Sequence, residues 1–310
     1  MPRAVVAAAY GGPEHLVVAE VPIAQPGPGE VRIHVRASGV NPVDAKIMSG
    51  YRGNDPAQLP LRLGYELAGV VLAVGEDAVG ADGAPIAVGD EVLAFRVPGA
   101  HASEHTVPAK DVLHRPATLS VEQAAGLLLA ATTAAHAIHV IGLRAGETVL
   151  VHGAAGSVGR AVVQLARRIG ARVIGTAAER RFDDLRALGA EPVAYGEGLA
   201  DRVRALGRVD AAVDTVGTDE ALAVSLEVLD DPARLVTIAN AEAVTAAGGQ
   251  AIGGATGTAF RDSVRAELVR LAAEGGLDIP VVRTFPLDEA RAAFEFVLEG
   301  HAGGKVVLIP

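Results

Sequence analysis

The sequence contains no cysteine and no tryptophan, and only 3% of its 310 residues are aromatic. Without cysteine the chain cannot form disulfides, thiolate zinc sites or a cysteine nucleophile. So few aromatic side chains argue against a surface on which nucleic-acid bases stack. The formal net charge of −10 comes without any cluster of Lys and Arg, so binding to nucleic acid or to an anionic membrane is not expected as the main task.

Long hydrophobic runs free of polar residues are also missing. The longest apolar stretch, 124–141, contains Thr132, Thr133 and two histidines, which favours a buried helix over a membrane span. Ser120 with Gln123 three positions later predicts a capping box at the start of that helix. The N-terminus has no basic region followed by an apolar core and a cleavage site, so we expect a cytoplasmic protein.

The first part of the chain, to about residue 116, is rich in predicted strands. In the segment 31–37, Val31, Ile33 and Val35 alternate with polar residues, which is typical of a strand with one buried face. Turns rich in Gly and Pro separate the segments, which predicts a barrel-like β domain. The predicted strands are 4–9, 16–21, 31–37, 67–74 and 90–95.

After Ser120 the predicted strands and helices alternate, which indicates a doubly wound parallel sheet. The predicted strands are 148–152, 171–176, 192–195, 209–214 and 234–239, and the helices are 157–169, 180–188, 199–206 and 219–229. The interval 243–258, rich in Gly, Ala and Thr, is predicted as a loop that either borders a ligand crevice or has no function. The chain then continues with a helix 262–274, a strand 279–285, a helix 288–298 and a strand 305–309.

A glycine-rich turn follows the apolar strand that ends near His152. It contains Ala154, Ala155, Gly156, Ser157, Val158 and Gly159, and a helix with an apolar face comes directly after it. Glycines here let backbone N–H groups approach a pyrophosphate, and the helix N-terminus adds partial positive charge. Because Ala154 replaces the first glycine of G-x-G-x-x-G, an ordinary pair of packing glycines is the alternative.

The end of the next predicted strand bears on the choice of nucleotide. NAD sites carry an acidic ribose ligand there, whereas this chain has Gly175 and Thr176. Arg180 and Arg181 follow and could bind a 2′-phosphate, although they could also only solvate the next helix. We therefore predict NADPH, with Thr176, Arg180 and Arg181 among its binding residues.

Three other features resemble catalytic or metal-binding residues but have structural interpretations. The run from His101 to His105 spells H-x-x-E-H, an inverted zinc-protease pattern that requires a helix. Pro98 and Pro108 flank the run, so a helix is not expected there. His152 is expected to be a buried core histidine. Asp44 either accepts a hydrogen bond from a residue of the active site or forms the turn after Pro42.

The chain resembles the zinc-independent quinone oxidoreductases of the medium-chain dehydrogenase/reductase superfamily, the zeta-crystallin-like group. The resemblance covers nearly the whole chain. The segments that carry it are 151–159 with Gln164-Leu165-Ala166, 39–44 (Gly-Val-Asn-Pro-Val-Asp), 64–71 (Gly-Tyr-Glu-Leu-Ala-Gly-Val-Val), 188–190, 284–287 and 303–308.

The resemblance implies a Rossmann-type domain, 120–275, and a GroES-like β-rich catalytic domain built from 1–119 and 276–310. It also implies a strand at the run from His101 to His105, and hydride transfer from NADPH to a small quinone-type acceptor. Asn41 stands where zinc-dependent relatives have a cysteine, and Tyr65 stands where they have a histidine, so no metal site is expected. An electrophilic quinone or enone needs positioning and a hydrogen bond more than a Lewis acid.

The resemblance also assigns roles to single residues. Asn41 would face the nicotinamide and the substrate. Relatives carry a tyrosine at the position of Lys46 and another a few residues later, where Tyr51 could substitute, so Lys46 and Tyr51 are catalytic candidates in doubt. The further cofactor-binding candidates are Thr132 near the nicotinamide, Tyr195 near the adenosine, and Val216, Ile238 and Ala239 near the nicotinamide ribose.

Two alternatives to a quinone reductase remain. An enoyl or enone reductase acting on carbon–carbon double bonds would use the same cofactor residues. A non-catalytic NADPH-binding protein would not need Asn41, Thr132 and the phosphate turn together. The resemblance further suggests a homodimer joined at a sheet edge near 250–256, although the glycines there weaken that expectation.

Overall fold

The computed structural model describes residues 1–51, 53–254, 256–300 and 302–310. Its strands are β1 Arg3–Ala7, β2 Leu16–Glu20, β3 Glu30–Val40, β4 Leu61–Arg62, β5 Glu66–Val74, β6 Glu91–Phe95, β7 Glu104–Pro108, β8 Val112–His114, β9 Thr148–His152, β10 Arg172–Ala177, β11 Glu191–Ala194, β12 Ala211–Asp214, β13 Leu235–Thr237, β14 Gln250–Ala251, β15 Val281–Pro286 and β16 Lys305–Ile309. Its helices are α1 Pro42–Met48, α2 Val121–Ala125, α3 Leu128–Val140, α4 Ser157–Ile169, α5 Phe182–Ala187, α6 Leu199–Ala205, α7 Asp219–Val228, α8 Ala241–Ala246, α9 Thr258–Ser263, α10 Arg265–Ala273 and α11 Ala290–Leu298.

The chain folds as two compact units. The first contains Met1–Leu129, Ala266–Glu274 and Ile279–Pro310, and the second contains Ala130–Arg265 and Gly275–Asp278. The division therefore lies ten residues after the predicted boundary at 119/120. The reason is α2, which packs against β3, β5 and β6 of the first unit instead of joining the cofactor domain.

The first unit is rich in β structure, as predicted. One sheet has the order β15-β16-β3-β5-β6-β8, with β7 paired to β3, and a smaller sheet has the order β2-β1-β4. In β3, the alternating residues Val31, Ile33 and Val35 are buried, so the predicted periodicity is confirmed. Together with other apolar side chains they form one core, and a second core contains Met48 and Phe294.

The second unit contains a parallel sheet of order β11-β10-β9-β12-β13-β14. The order reverses at β9, with β10 on one side and β12 on the other. This parallel order with a reversal is that of a doubly wound sheet, so the predicted fold is confirmed. In such folds ligands bind at the carboxyl ends of the strands beside the reversal, which here are β9 and β12.

Three predicted segments differ from the structure, and one of them, the expected helix 262–274, is divided at Val264 between α9 and α10. The expected loop 243–258 contains the end of α8 and the strand β14, because Asn240 caps α8 by accepting a hydrogen bond from the Ala243 N–H, and β14 gains partners from β13. The expected long helix through 124–141 is interrupted at Gly126 and Leu127, between α2 and α3. The Ser120–Gln123 capping box that begins α2 is confirmed.

Within the described residues, we find no helix that has both the length and the apolar character required to cross a membrane.

Candidate functional site

The turn between β9 and α4 depends on glycine. Gly153 has φ +73°, a left-handed conformation that suits glycine. A Cβ at Gly159 would lie 2.2 Å from the Gly153 carbonyl oxygen and 2.7 Å from the Ala154 Cα. Both contacts are with backbone, so no side-chain rotation could relieve them, and the close packing of α4 on this turn requires glycine at 159.

The N-terminus of α4 is open to an anion. Gly156 is its N-cap residue and offers no side chain to the first N–H groups. Ala155, Ser157 and Val158 are partly exposed, and the turn lies where the strand order reverses. Unpaired N–H groups and the helix dipole favour a phosphate at such a place, so the residues fit a nucleotide pyrophosphate.

Other predicted cofactor residues lie at the same edge of the parallel sheet. Tyr195 directly follows β11 and is 52% exposed, and Val216 follows β12 and is 47% exposed. Ile238 and Ala239 follow β13 and are partly buried. Because parallel strands end at one edge, the structure brings these four residues to the edge that carries the turn after β9.

The segment after β10 contains the residues predicted to select the nucleotide. Thr176 is buried, and its Oγ1 accepts a hydrogen bond from the Gly153 N–H at 3.2 Å, so it supports the phosphate turn from behind. Arg180 is exposed, whereas Arg181 is partly buried and pairs with Asp184 at 3.4 Å. Glu179, between the strand and the arginines, is also exposed.

Asp214, which the sequence reasoning missed, organises the ends of two strands. Its Oδ1 accepts hydrogen bonds from the N–H groups of Val216 and Gly217 at 2.9 and 2.8 Å. Its Oδ2 accepts one from the Thr237 hydroxyl at 2.7 Å. The buried carboxylate thus fixes the backbone at Val216 and at the end of β13. An aspartate closing a fully apolar strand was the available signal.

His152 is a core residue, as expected. It is 1% exposed, and its Nε2 lies 3.0 Å from the Ser225 Oγ. The Ser225 hydroxyl donates to the Ala221 carbonyl, so Ser225 accepts the hydrogen bond and His152 carries its proton on Nε2. Burial lowers the pKa of His152 from 6.5 to about 4, although the Asp214 charge acts in the opposite direction.

This lowered pKa predicts a loss of stability in acid. Above the ordinary pKa of 6.5, His152 is neutral in both states and has no effect; as the pH falls towards 4, only the unfolded chain takes up the proton. We expect His152→Gln to reduce the acid-induced loss of unfolding free energy by about 2 kcal/mol at about pH 5. Urea denaturation at neutral and acidic pH measures it. His34→Gln, on the exposed side of β3, is the matched control. If the unfolding free energy of the wild type, His152→Gln and His34→Gln fell equally with pH, the lowered pKa of His152 would be contradicted.

In the first unit, Asn41 is the centre of a buried polar network. It follows β3 and caps α1, with its N–H donating to the Asp44 Oδ2 at 2.8 Å. Its Nδ2 donates to the Gly39 carbonyl at 3.0 Å and to the Glu66 Oε1 at 3.1 Å. Its Oδ1 accepts a hydrogen bond from Lys305. Asn41 is 3% exposed, so its amide is held by the protein's own groups.

Lys305 and Glu66 form the charged part of this network. The Lys305 Nζ lies 2.6 Å from the Glu66 Oε1, and the two residues are 3% and 1% exposed. The second carboxylate oxygen, Oε2, accepts the Leu129 N–H at 2.9 Å. A Cβ at Gly39 would lie 2.7 Å from the Glu66 Oε1, so glycine at 39 gives the carboxylate its space.

These partners determine what Asn41 can offer to a ligand. Lys305 can only donate and the Gly39 carbonyl can only accept, so the amide must place Oδ1 towards Lys305 and Nδ2 towards Gly39. Both Nδ2 hydrogens are then used within the protein. What remains is acceptor capacity on Oδ1, which suits an N–H group such as the nicotinamide carboxamide.

Strand pairing brings the three network residues together. In the β16–β3 register Val306 faces Val40, so Lys305 comes next to Asn41. In the β3–β5 register Ser38 faces Leu67, which puts Glu66 beside Gly39. The sequence reasoning missed Glu66 and Lys305, although each is a charged residue at the start of an apolar strand, and that placement was the signal.

A second buried group lies behind Asn41. The His101 Nδ1 is 2.9 Å from the Ser38 Oγ, and its Nε2 is 3.7 Å from the Asp44 Oδ2. Asp44 therefore has both roles left open by the sequence, as an acceptor behind Asn41 and as part of the turn into α1. His105 lies on β7, which confirms the expected strand for the H-x-x-E-H run.

Three other predicted residues lie in different settings. Lys46, on α1, is exposed, and Tyr51 is 73% exposed, so the structure does not gather these two around the Asn41 network. Their catalytic roles stay predictions. Thr132 is wholly buried in the part of α3 that belongs to the second unit.

A metal centre would need several suitable ligands close together. Within the described ranges, no group of three or more His, Asp or Glu side chains could hold a metal ion. At the two positions compared with zinc ligands above, the chain offers the bonded amide of Asn41 and the phenol of Tyr65.

Comparison with known proteins places these features in a family. Residues 27–118 match the alcohol dehydrogenase GroES-like domain, and residues 188–308 match the family described as zinc-binding dehydrogenase. Quinone oxidoreductase of Mus musculus is 31% identical over 99% of this chain and 97% of its own length. The chain belongs to the quinone oxidoreductase family. The resemblance stated from the sequence motifs and the expected GroES-like and Rossmann-type architecture are therefore confirmed.

The chain is also similar to proteins with other names. The 2-haloacrylate reductase of a Burkholderia species is 32% identical over 97% of this chain and 96% of its own length. The spectinabilin polyketide synthase protein NorB of Streptomyces orinoci is 34% identical over 98% of this chain, but the chain spans only 14% of NorB. The solved structure of Escherichia coli quinone oxidoreductase complexed with NADPH has a TM-score of 0.87 and 27% identity, and the match covers 99% of this chain and 100% of that one.

Proposed function

We propose that the protein reduces small quinone or conjugated enone acceptors with hydride from NADPH and without a metal. The observation that carries the proposal is the Lys305 ammonium, held between the Asn41 Oδ1 and the Glu66 Oε1. A fixed cation here uses the oxygens that a metal ion would need and repels a second positive charge. The names of the mouse, Burkholderia and Escherichia coli relatives support the acceptor and the cofactor.

In this proposal the chain's own residues bind the cofactor and orient its nicotinamide. The open N-terminus of α4 would hold the pyrophosphate, and the Asn41 Oδ1 would orient the nicotinamide by accepting a hydrogen bond from its carboxamide. When bound, NADPH supplies a hydride, and a proton from solvent completes the two-electron reduction of the acceptor. The Lys305 ammonium donates to the Asn41 Oδ1 and is itself paired with Glu66, so it would keep the Asn41 amide in one orientation during the reaction.

The enone alternative rests on the same residues, so acceptor profiling decides between the two substrate classes. The experiment follows the loss of reduced-nicotinamide absorbance with quinones and with conjugated enones, in the presence of a chelator. We expect chelator-resistant oxidation of NADPH with quinones. Turnover of enones alone would favour the second function, and loss of activity on chelation would overturn the metal-free mechanism. Tight NADPH binding without turnover of any acceptor would favour a non-catalytic protein.

The preference for NADPH over NADH is part of the proposal. Arg180 and Arg181 support it, whereas Glu179 is the kind of side chain that binds the ribose hydroxyls in NAD sites. We expect the double variant Arg180→Ser/Arg181→Ser to raise the KM for NADPH by about 10–100-fold, the value of one or two charge-assisted hydrogen bonds, and to leave NADH unaffected. Arg186→Ser, an exposed arginine on α5, is the matched control. Equal changes with both nucleotides would contradict the assignment.

Two expectations about the protein's surroundings stay predictions. A homodimer through the edge of the parallel sheet would use β14, which has only two residues and is followed by Gly253 and Gly254. Light scattering coupled to size-exclusion chromatography measures the assembly. The cytoplasmic location is likewise an expectation from the sequence.

A further inference from the structure

A small cavity of about 170 Å³ lies in the first unit beside the Asn41 network. Asp44, Tyr65 and Arg62 contribute to its walls, together with Tyr10 and Gln58. Asp44 accepts the Asn41 N–H, and Tyr65 directly precedes Glu66, so the cavity adjoins the network through these two residues. A ligand in it would lie beside the residues assigned to the reaction.

Arg62 is the cation of this cavity, and its guanidinium is poorly satisfied by the protein. Its Nη2 donates to the Gly99 carbonyl at 3.4 Å and lies 3.5 Å from the His105 Nδ1, both at the outer limit of hydrogen bonding. Its Nε is buried without a hydrogen-bond partner. Within the described residues no hydrogen bond of the Arg62 Nη1 is found, so the two Nη1 donors and the weakly bonded Nη2 can turn to a ligand, whereas the buried Nε cannot.

The charge on Arg62 also lacks a counter-ion. Among the described residues, no carboxylate forms an ion pair with this side chain, and burial alone accounts for the lowering of its pKa. His105, the nearest titratable group named above, is no counter-ion: burial and the nearby Arg62 charge lower the pKa of His105 to about 4 and leave it uncharged at neutral pH. Asp44 directs its Oδ2 to the Asn41 N–H. A partly buried cation without a partner is costly, so an anionic ligand would be bound favourably.

Glycine at position 99 leaves space for the Arg62 side chain. Gly99 has φ +95°, and a Cβ there would lie 3.2 Å from the Arg62 Nε. A larger residue would press on the side chain. Arg62 is placed by its strand, since β4 pairs with β1 through Val6 and Arg62. The β1–β4 pairing therefore positions the Arg62 backbone, and the Gly99 carbonyl contacts its guanidinium.

We propose that this cavity binds the carboxylate of a small unsaturated acceptor, with Arg62 as its charged partner. The inference rests on the proposed reductase function and names its substrate class. A planar guanidinium matches a carboxylate through two parallel hydrogen bonds. Since ligands of drug size occupy sites of about 300–1,000 Å³, a cavity of 170 Å³ selects a short acceptor such as an unsaturated keto acid.

The test compares two acceptors that differ in charge at one end, 4-oxopent-2-enoate and its methyl ester, with a neutral quinone as the reference. We expect the wild type to favour the acid in kcat/KM and added acetate to weaken that preference. Arg62→Gln should raise the KM for the acid by about 10–100-fold and change the ester and the quinone less than about twofold. Arg62→Lys should retain part of the preference, and Arg36→Gln, at an exposed arginine of β3, should change nothing.

The outcomes separate this inference from the proposed function. If quinone and ester are reduced but the acid is not favoured, the carboxylate site is wrong and the reductase stands. If no acceptor reacts, the reductase proposal fails, and calorimetric titration with the unreactive analogue 4-oxopentanoate tests the site directly. Binding that Arg62→Gln abolishes would support the site, and absence of binding to the wild type would overturn it. The ratio of kcat/KM for the acid to that for the ester, and the effect of acetate on this ratio, are measured on the wild type alone. They therefore test the carboxylate site even if Arg62→Gln does not fold.

Discussion

Replacing Lys305 with methionine is expected to lower the free energy of unfolding by about 3–5 kcal/mol, because it leaves the Glu66 carboxylate buried without its partner. Lys305 is 3% exposed and bonded to both Asn41 and Glu66, so no solvent replaces the lost ammonium. Urea denaturation measures the change. Lys110→Met, at an exposed lysine, should change the unfolding free energy by less than about 0.5 kcal/mol.

A double variant separates charge from packing in this prediction. Lys305→Met/Glu66→Gln removes both charges, so we expect it to recover most of the stability that the single variant loses. It also releases the Asn41 Oδ1 from its donor. We therefore expect kcat to remain low in the double variant although the protein is folded. A single variant as stable as the wild type would contradict the buried ion pair, and full activity of the double variant would contradict the positioning of Asn41 by Lys305.

Gly156→Val is expected to weaken NADPH binding by at least about 100-fold while the protein remains folded. Position 156 has φ −75°, which valine can adopt, and among the described residues the heavy atom near an added Cβ is the Gly153 carbonyl oxygen at 3.4 Å, so the valine Cβ meets an ordinary contact. The added side chain would occupy the place where the pyrophosphate approaches α4. Loss of two charge-assisted hydrogen bonds at about 1.5–3 kcal/mol each gives the expected change.

Fluorescence titration of NADPH measures the affinity, and thermal unfolding verifies the fold. Gly27→Val is the matched control, since an added Cβ at Gly27 also meets only an ordinary contact, at 3.5 Å from Glu30. Gly159→Val should behave differently and lose stability as well, because its Cβ overlaps backbone at 2.2 Å. Unchanged NADPH affinity in Gly156→Val would show that the pyrophosphate binds elsewhere.

The errors of the sequence analysis share one physical cause. The weak local signal of 243–258 predicted a loop, whereas pairing with β13 makes Gln250 and Ala251 a strand. The apolar run 124–141 predicted one helix, but it is interrupted at Gly126 and Leu127, after α2, which packs on the distant strands β3 and β5. In both cases a contact with a distant part of the chain overrides the local pattern.

The sequence by itself determined the local features of this protein: the apolar strand, glycine turn and helix around Gly156, the alternation in β3, and the lack of any thiolate. These follow from hydrophobic periodicity and from the steric freedom of glycine, which act between near neighbours. Only the tertiary structure decided that Lys305 meets Asn41 and Glu66, which lie 264 and 239 positions away in the sequence. The pairing of β16 with β3 and of β3 with β5 sets that meeting, and strand register depends on the whole sheet.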